Sequence, residues 1–233
     1  AEGAAVAGGH TALGAEFALG LTITGLMPEG RAPLTKAGAR PGDALILTRP
    51  IGTGTLLAAA MQRAAEGPDI AAALDAMATP QGAAAAVLAP VAHAMTDVTG
   101  FGLAGHLAEM LRASGVSAAL DPGTVPVLAG ALAAAAGGHA SVLAPETRAA
   151  VAGLAELGDG PRAALLVDPQ TSGGLLAAVP ADRARALLDA LHAAGFAHAA
   201  RIGSVGDGPP RLQATGAVAQ GRGPALASGA TMG

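Results

Sequence analysis

The feature that most constrains this chain is a short run of polar residues placed directly before a glycine-rich turn. Residues 96–99, Thr-Asp-Val-Thr, bring one carboxylate and two hydroxyls together, and residues 100–102, Gly-Phe-Gly, follow at once. The apolar residues after the turn recur at the spacing of one helix face, at Leu103, Leu107, Met110 and Leu111. The pattern predicts a helix over about 103–113 that is capped by Gly115. This order of groups suits a site that holds a phosphate and its cation.

The composition restricts both the core and the kinds of site that the chain can build. Aromatic residues make up only 1% of the chain, so the core must be aliphatic and rich in close packing through Ala and Gly. The chain contains no cysteine, which excludes disulfides, thiolate metal sites and a cysteine nucleophile within these residues. The formal net charge is −4 without a basic stripe, which argues against a nucleic-acid partner.

Two long uncharged stretches, residues 76–95 and 122–145, are mostly Ala and are interrupted by Pro and Gly. They predict helices and loops of a soluble protein rather than membrane spans. No signal peptide is evident, and a cytoplasmic location is the expectation. The chain opens Ala-Glu-Gly at residues 1–3 instead of Met, so we expect it to be a piece of a longer protein.

Hydrophobic periodicity predicts a mixture of helices and strands without a regular βαβ rhythm, which indicates the α+β class. Strands are expected within 12–27 and at 44–48, 117–120, 163–167, 175–179 and 196–205. Helices are expected at 56–65, 70–77, 83–93, 103–113 and 181–194, and within 122–145. Residues 207–233, rich in Gly, Pro and Ala, are expected to form a disordered tail.

The residues alone leave the role of the polar turn open. Asp97 can cap the helix that follows, where its carboxylate would accept hydrogen bonds from backbone N–H groups that have no partner within the helix. Asp97 can instead bind Mg²⁺ associated with phosphates, with water and phosphate oxygens completing the shell. Residues 100–105 also match G-x-G-x-x-G, with Asp121 about 20 residues on, as in a dinucleotide site. That match is disfavoured because the preceding segment is not a continuous apolar strand.

Three further polar segments allow either a structural or a functional role. Gly8, Gly9 and His10 can form a flexible loop, or a segment whose backbone approaches a phosphate while His10 donates a hydrogen bond. Residues 168–174, Asp-Pro-Gln-Thr-Ser-Gly-Gly, predict a tight turn between two apolar strands, and their polar groups can also line a site. Residues 49–54 form a glycine loop without the lysine of a P-loop.

No two histidines have the i, i+4 spacing of a helical metal site.

Taken in order, these segments resemble the selenophosphate synthetase family, which has a PurM-like fold. The matching pieces are residues 8–11, 19–25, 36–43, 45–54, 96–110 and 166–180. The resemblance implies that residues 1–28 are the end of an N-terminal ATP-binding domain and contribute its last strand. It implies that residues 36–206 form the PurM-like C-terminal domain, a mixed sheet covered by helices, before the tail at 207–233.

The resemblance also implies an activity and its site. The family uses ATP and Mg²⁺ to convert selenide and water into selenophosphate, with AMP and phosphate as the other products, and it acts as a cytoplasmic homodimer. Asp97 matches a Mg²⁺-binding aspartate of the family, and Gly8, Gly9 and His10 match a segment that contacts ATP. The family's catalytic Cys or selenocysteine, its Lys and its other metal-binding aspartates lie upstream, so no catalytic residue is assigned and the piece alone is expected to be inactive. Gln81 departs from the Asn that relatives commonly carry.

Two alternative functions remain open on the sequence. The chain can belong to another PurM-like enzyme, such as an aminoimidazole ribonucleotide synthetase, a thiamine monophosphate kinase or a hydrogenase-maturation enzyme. It can also be a non-catalytic nucleotide-binding or dimerisation module in a larger fusion. The order of residue types in residues 168–174 favours the selenium branch over these alternatives.

Overall fold

The computed structural model of the protein describes residues 3–27, 29–30 and 32–214. Its body is a seven-stranded mixed sheet with helices packed on both faces, which confirms the predicted α+β class. The strands are β1 (Ala44–Leu47), β2 (Ala94–Asp97), β3 (Ser117–Leu120), β4 (Ala155–Glu156), β5 (Leu175–Val179), β6 (Ala200–Gly206) and β7 (Leu212–Ala214).

The strands lie in the order β2-β5-β1-β6-β3-β7-β4. Neighbouring strands are antiparallel except at β7, which runs parallel to both β3 and β4. β1 lies near the centre, and all four of its residues are fully buried. Because side chains alternate between the faces of a strand, Leu45 and Leu47 join one core cluster while Ala44 and Ile46 join the other.

The described residues contain eight helices: α1 (Thr53–Met61), α2 (Gly67–Ala78), α3 (Gly82–Leu88), α4 (Gly102–Ser114), α5 (Ala131–Ala136), α6 (Ala144–Val151), α7 (Pro161–Leu166) and α8 (Ala184–Ala193). Six of them, all except α3 and α8, contribute buried residues to the larger cluster on one face of the sheet. α3 and α8 cover the other face. Within the described part of the chain, no helix has both the length and the apolar character needed to cross a bilayer.

Helix α4 was predicted to within one residue at each end, and it carries the polar turn at its start. Its four apolar residues at helical spacing, Leu103, Leu107, Met110 and Leu111, are all fully buried. Gly115 ends the helix in the left-handed conformation, with φ of 68°, and its N–H donates to the carbonyl oxygen of Leu111 at 2.9 Å. The helix therefore holds the turn against the core.

The strand predicted within residues 12–27 is not formed. Residues 3–27 contain neither helix nor strand, and the side chains of Phe17, Leu21 and Ile23 are 94%, 81% and 87% exposed. A single strand needs neighbours for its backbone N–H and C=O groups, and alternation of residue types does not supply them. The prediction was wrong because residues 12–27 have the alternation of a strand but no neighbouring strand among the described residues to pair with.

Two predictions in the second half of the chain were also wrong. Residues 163–167 were expected to form a strand, yet α7 spans most of them. A short apolar run has no period of its own, and Pro161 at the first turn favours the helix. The disordered tail predicted over 207–233 was wrong for residues 212–214, since these form β7, which pairs with β3 and β4. Residues 215–233 lie outside the described residues.

The helix expected at 83–93 is shorter than predicted. α3 ends at Leu88, before Pro90, and the chain then turns into β2. Ala89, before the proline, still has helical backbone angles, but Pro90 has no N–H to donate to the next carbonyl oxygen, which accounts for the early end. β2 was not among the predicted strands, and Asp97 is its last residue.

Candidate functional site

The two specific sequence motifs lie side by side at one edge of the sheet. In the ladder between β2 and β5, Asp97 is opposite Leu175. Beyond the ladder, the N–H of Val98 donates to the carbonyl oxygen of Gly174 at 2.8 Å, and the N–H of Gln170 donates to the carbonyl oxygen of Thr99 at 2.9 Å. We call residues 97–102 the aspartate turn and residues 168–174 the DPQ loop. The fold thus joins two segments that are far apart in sequence.

Asp97 ends β2 with an exposed side chain, beside the start of α4. It does not cap that helix: the N-cap residue is Phe101, and no side chain accepts a capping hydrogen bond there. The capping interpretation of Asp97 was therefore wrong. Its carboxylate faces solvent next to the N-terminal end of α4, which carries a partial positive charge.

The close approach of the two motifs requires glycine at two positions. A Cβ on Gly173 would lie 2.1 Å from the carbonyl oxygen of Val98, far inside any allowed contact. Gly102 has φ of +67°, and a Cβ there would lie 2.8 Å from the carbonyl carbon of Val167. These glycines let the backbone of the aspartate turn contact that of the DPQ loop directly.

Two polar side chains of the DPQ loop, Asp168 and Gln170, form hydrogen bonds inside the protein. The buried carboxylate of Asp168 accepts hydrogen bonds from the N–H of Gly54 at 3.1 Å and from the hydroxyl of Thr55 at 2.9 Å. The amide oxygen of Gln170 accepts from the N–H of Gly52 at 2.9 Å and from that of Thr53 at 3.2 Å. The DPQ loop therefore caps α1, and the structural interpretation of this segment holds for these two side chains.

Burial of Asp168 raises the pKa of its carboxyl, since the charged form loses solvation. The hydrogen bonds from Thr55, Gln170 and Gly54 act in the opposite direction and are the weaker influence. Asp168 is therefore a buried structural acid whose carboxylate accepts hydrogen bonds from neighbouring groups. The side chain of Asp97, in contrast, is exposed.

The side chains of Arg49 and Gln81 donate hydrogen bonds to backbone carbonyl oxygens of the DPQ loop. The guanidinium of Arg49 is buried and donates to the carbonyl oxygens of Ser172 and Thr79. Burial lowers its pKa, although a guanidinium stays protonated at any ordinary pH. The amide of Gln81 accepts from the Thr48 hydroxyl at 3.2 Å and donates to the carbonyl oxygen of Gly173 at 3.0 Å. The departure from Asn at position 81 thus falls on a residue that supports the loop.

A chain of polar side chains that the sequence did not reveal lies behind the aspartate turn. The ring Nε2 of buried His106 is 3.2 Å from the hydroxyl oxygen of Thr99. Its Nδ1 is 3.4 Å from a carboxylate oxygen of Glu109, and the other oxygen of Glu109 is 3.1 Å from the Lys36 amino group. The i, i+3 spacing of His106 and Glu109 was the available signal. This spacing differs from the i, i+4 spacing of histidine pairs in helical metal sites.

A cleft of about 400 Å³ opens beside the same two motifs. Gly100 contributes from the aspartate turn, Thr171 contributes from the DPQ loop, and Leu57 and Met61 line it from α1. The turn therefore borders open space on one side and the protein interior on the other.

The structure does not bring all of the predicted site residues together. Gly8, Gly9 and His10 are exposed, and a Cβ added at Gly8 or Gly9 would meet no atom within 4 Å. Nowhere in residues 3–27, 29–30 and 32–214 do three acidic or histidine side chains form a group that could hold a metal ion. Asp97 fits a magnesium site only as one ligand, because an octahedral shell needs further oxygens.

Comparison with known proteins gives a consistent family assignment. The family model described as AIR synthase related protein, C-terminal domain, matches residues 40–214. A selenide, water dikinase from Burkholderia pseudomallei (strain K96243) is 40% identical over 215 residues, which cover 90% of this chain and 60% of that protein. The chain therefore spans about 60% of the length of this curated relative.

Solved structures of other proteins have a similar fold. The hydrogenase maturation protein HypE matches with a TM-score of 0.51 and 25% identity, over 75% of this chain and 47% of that one. Thiamine-monophosphate kinase from Stenotrophomonas maltophilia K279a matches with a TM-score of 0.55 and 22% identity, over 79% and 54% of the two chains. The second of these likenesses concerns the fold alone.

Proposed function

This chain belongs to the family of AIR synthase related proteins, through their C-terminal domain, and on that basis we propose that it is part of a selenide, water dikinase. In this proposal the whole enzyme uses ATP and Mg²⁺ to turn selenide and water into selenophosphate, AMP and phosphate. It acts in the cytoplasm as a homodimer. The 40% identity with a selenide, water dikinase supports this function over those of the other enzymes that share the fold.

We propose that Asp97 supplies one carboxylate ligand to the Mg²⁺ that accompanies ATP. The single observation that carries this role is an exposed carboxylate at the end of β2, on a turn whose backbone is fixed by the DPQ loop. When bound, Mg²⁺ would neutralise charge on the polyphosphate, and phosphate and water oxygens would complete its shell. The start of α4 favours negative charge nearby.

Gly8, Gly9 and His10 belong to the same proposal with a separate role. Glycines allow a backbone to approach phosphate oxygens closely, and a histidine ring can donate a hydrogen bond. We propose that this segment contacts ATP in the assembled enzyme. Its exposure is compatible with a contact made across an assembly.

Calorimetry with ATP and Mg²⁺ tests the role of Asp97 directly. We expect weak binding by this chain and a loss of at least about tenfold in affinity in Asp97→Ala, which corresponds to about 1.4 kcal/mol. Asp182→Ala is the matched control, because Asp182 is also exposed and lies away from both motifs. Equal affinity of the wild type and Asp97→Ala, or no binding at all, would contradict the proposal.

A second experiment tests whether this chain performs the reaction alone. The sequence contains no cysteine, so the nucleophile that the family resemblance implies is not among these residues. We expect no selenide-dependent ATP hydrolysis by the isolated chain. Clear turnover would show that the reaction uses groups other than those proposed here.

A further inference from the structure

His106 is a buried polar side chain that the proposed function does not use. It lies in α4, is 6% exposed, and the ring of Phe101 covers it with ring centroids 5.5 Å apart. Its Nδ1 has no hydrogen-bond partner among the described residues, and the nearest carboxylate oxygen of Glu109 is 3.4 Å away. Buried polar groups without full partners are costly and usually have a role.

The surroundings of the ring determine which nitrogen carries the proton. Burial lowers the pKa of His106, against the opposing influence of Glu109 and Asp97, so the ring is neutral near pH 7. The carboxylate of Glu109 can only accept, so the proton belongs on Nδ1, which faces it. In this tautomer Nε2 is the acceptor, and the hydroxyl of Thr99, whose oxygen is 3.2 Å away, would donate to it.

Thr99 is consequently held at both its backbone and its side chain. Its carbonyl oxygen accepts the N–H of Gly102 at 3.0 Å and the N–H of Gln170 at 2.9 Å. Its hydroxyl is held by His106. Val98, immediately before it, is fully buried, so the backbone that leaves Asp97 has little freedom.

We propose that His106 is a positioning residue: through the Thr99 hydroxyl it fixes the aspartate turn, and so it orients the Asp97 carboxylate toward a divalent cation. This inference rests on the proposed function, since it concerns the same cation. Partners behind a metal ligand typically change metal affinity by about 10- to 100-fold when removed. We expect the lower end of that range, because His106 acts on Asp97 through a neighbouring residue.

Nitrogen NMR of the imidazole ring tests the contact without any cation or nucleotide. We expect the Nδ1–H tautomer for His106, with an Nε2 signal that moves in Thr99→Val and stays in place in Thr99→Ser, which keeps the hydroxyl. The exposed His198 serves as the reference ring in the same spectrum. An Nε2–H tautomer, or an Nε2 signal that ignores Thr99→Val, would overturn the inference.

Titration with Mn²⁺ in the presence of ATP tests the consequence for the cation. Paramagnetic broadening of the amide signals of residues 97–102 reports the affinity. We expect it to be about tenfold weaker in His106→Leu, and to be largely recovered in His106→Gln, whose amide oxygen can replace the ring acceptor. Wild-type affinity in His106→Leu would overturn the positioning role.

The same titration separates failure of this inference from failure of the proposed function. If Asp97→Asn keeps the wild-type broadening, Asp97 is not a cation ligand and the proposed function is contradicted. If Asp97→Asn abolishes the broadening while both His106 variants bind as the wild type does, only the positioning role is wrong. Amide spectra of each variant establish that it is folded before the titration begins.

Discussion

The carboxylate of Asp168 accepts a hydrogen bond from the hydroxyl of Thr55 at 2.9 Å, across 113 residues of sequence. The contact gives α1 an N-terminal cap from a distant loop in place of a local one, since Gly52 at the N-cap has no side chain to offer. The DPQ loop also holds the aspartate turn through Thr99. The start of α1 and the turn that carries Asp97 therefore share one support.

Removing the Asp168 carboxylate should destabilise the fold. In Asp168→Ala, the N–H of Gly54 and the hydroxyl of Thr55 lose a buried acceptor, and we expect a loss of about 3 kcal/mol in the free energy of unfolding. Urea denaturation followed by circular dichroism measures it. The exposed Asp182→Ala should change stability by no more than about 0.5 kcal/mol, and an equal effect of the two variants would contradict the role of the cap.

The raised pKa of Asp168 predicts how its contribution to stability depends on pH. The folded state holds this proton more tightly than the unfolded chain, whose carboxyl titrates near pH 3.9. The contribution is therefore complete below about pH 3.9 and is lost as the pH rises through the raised value. Asp168→Asn cannot ionise, so its stability relative to the wild type should improve as the pH rises from about 4 to about 7. Urea denaturation of both proteins over this range checks the sign, and a constant difference would contradict it.

Gly173→Ala should separate the DPQ loop from the aspartate turn. The added Cβ would overlap the carbonyl oxygen of Val98, and we expect a cost of about 1–3 kcal/mol together with weaker binding of ATP and Mg²⁺. Gly153→Ala is the control, because a Cβ there meets no atom within 4 Å. Thermal unfolding and calorimetry measure the two effects. A Gly173→Ala protein with wild-type stability would show that the close approach is dispensable.

Leu107→Ala should test the packing of α4 against the sheet. Leu107 is fully buried in the larger core cluster, so truncation should cost about 2–5 kcal/mol through lost burial and a cavity. Leu74→Ala on α2 removes the same atoms from a side chain that is 49% exposed and should cost far less. Urea denaturation compares the two. Similar losses would mean that α4 is not the core helix described here.

The sequence predicted the parts of the fold that depend on local pattern. α4 was recognisable from four apolar residues on one face and a glycine at its end, and both features act within one helix. Most of α7 was mistaken for a strand because the five apolar residues 163–167 are too few to reveal a period. The strand expected within 12–27 had the correct alternation, but a strand is stabilised by its neighbours.

The candidate site was predictable only in part for the same reason. Asp97 could be identified as a possible ligand from its own motif, and its exposure agrees with that hypothesis. The hydrogen bond from the N–H of Gly52 to Gln170 crosses 118 residues, so no local rule predicts it. The i, i+3 pair of His106 and Glu109 was visible in the sequence, but the contact of His106 with Thr99 was not, because Thr99 precedes the helix and spacing rules for helices do not apply there.

The placement of β7 has a consequence for how this protein is made. Among residues 3–27, 29–30 and 32–214, β7 is the sole neighbour of β4 in the sheet and separates it from β3, yet it is built from residues 212–214. On a ribosome, β4 is synthesised long before the strand that will hold it, so this side of the sheet can close only when residue 214 has left the exit tunnel. A premature stop codon just before Leu212 would leave β4 without support and turn β3 into an open edge, where another nascent chain could pair.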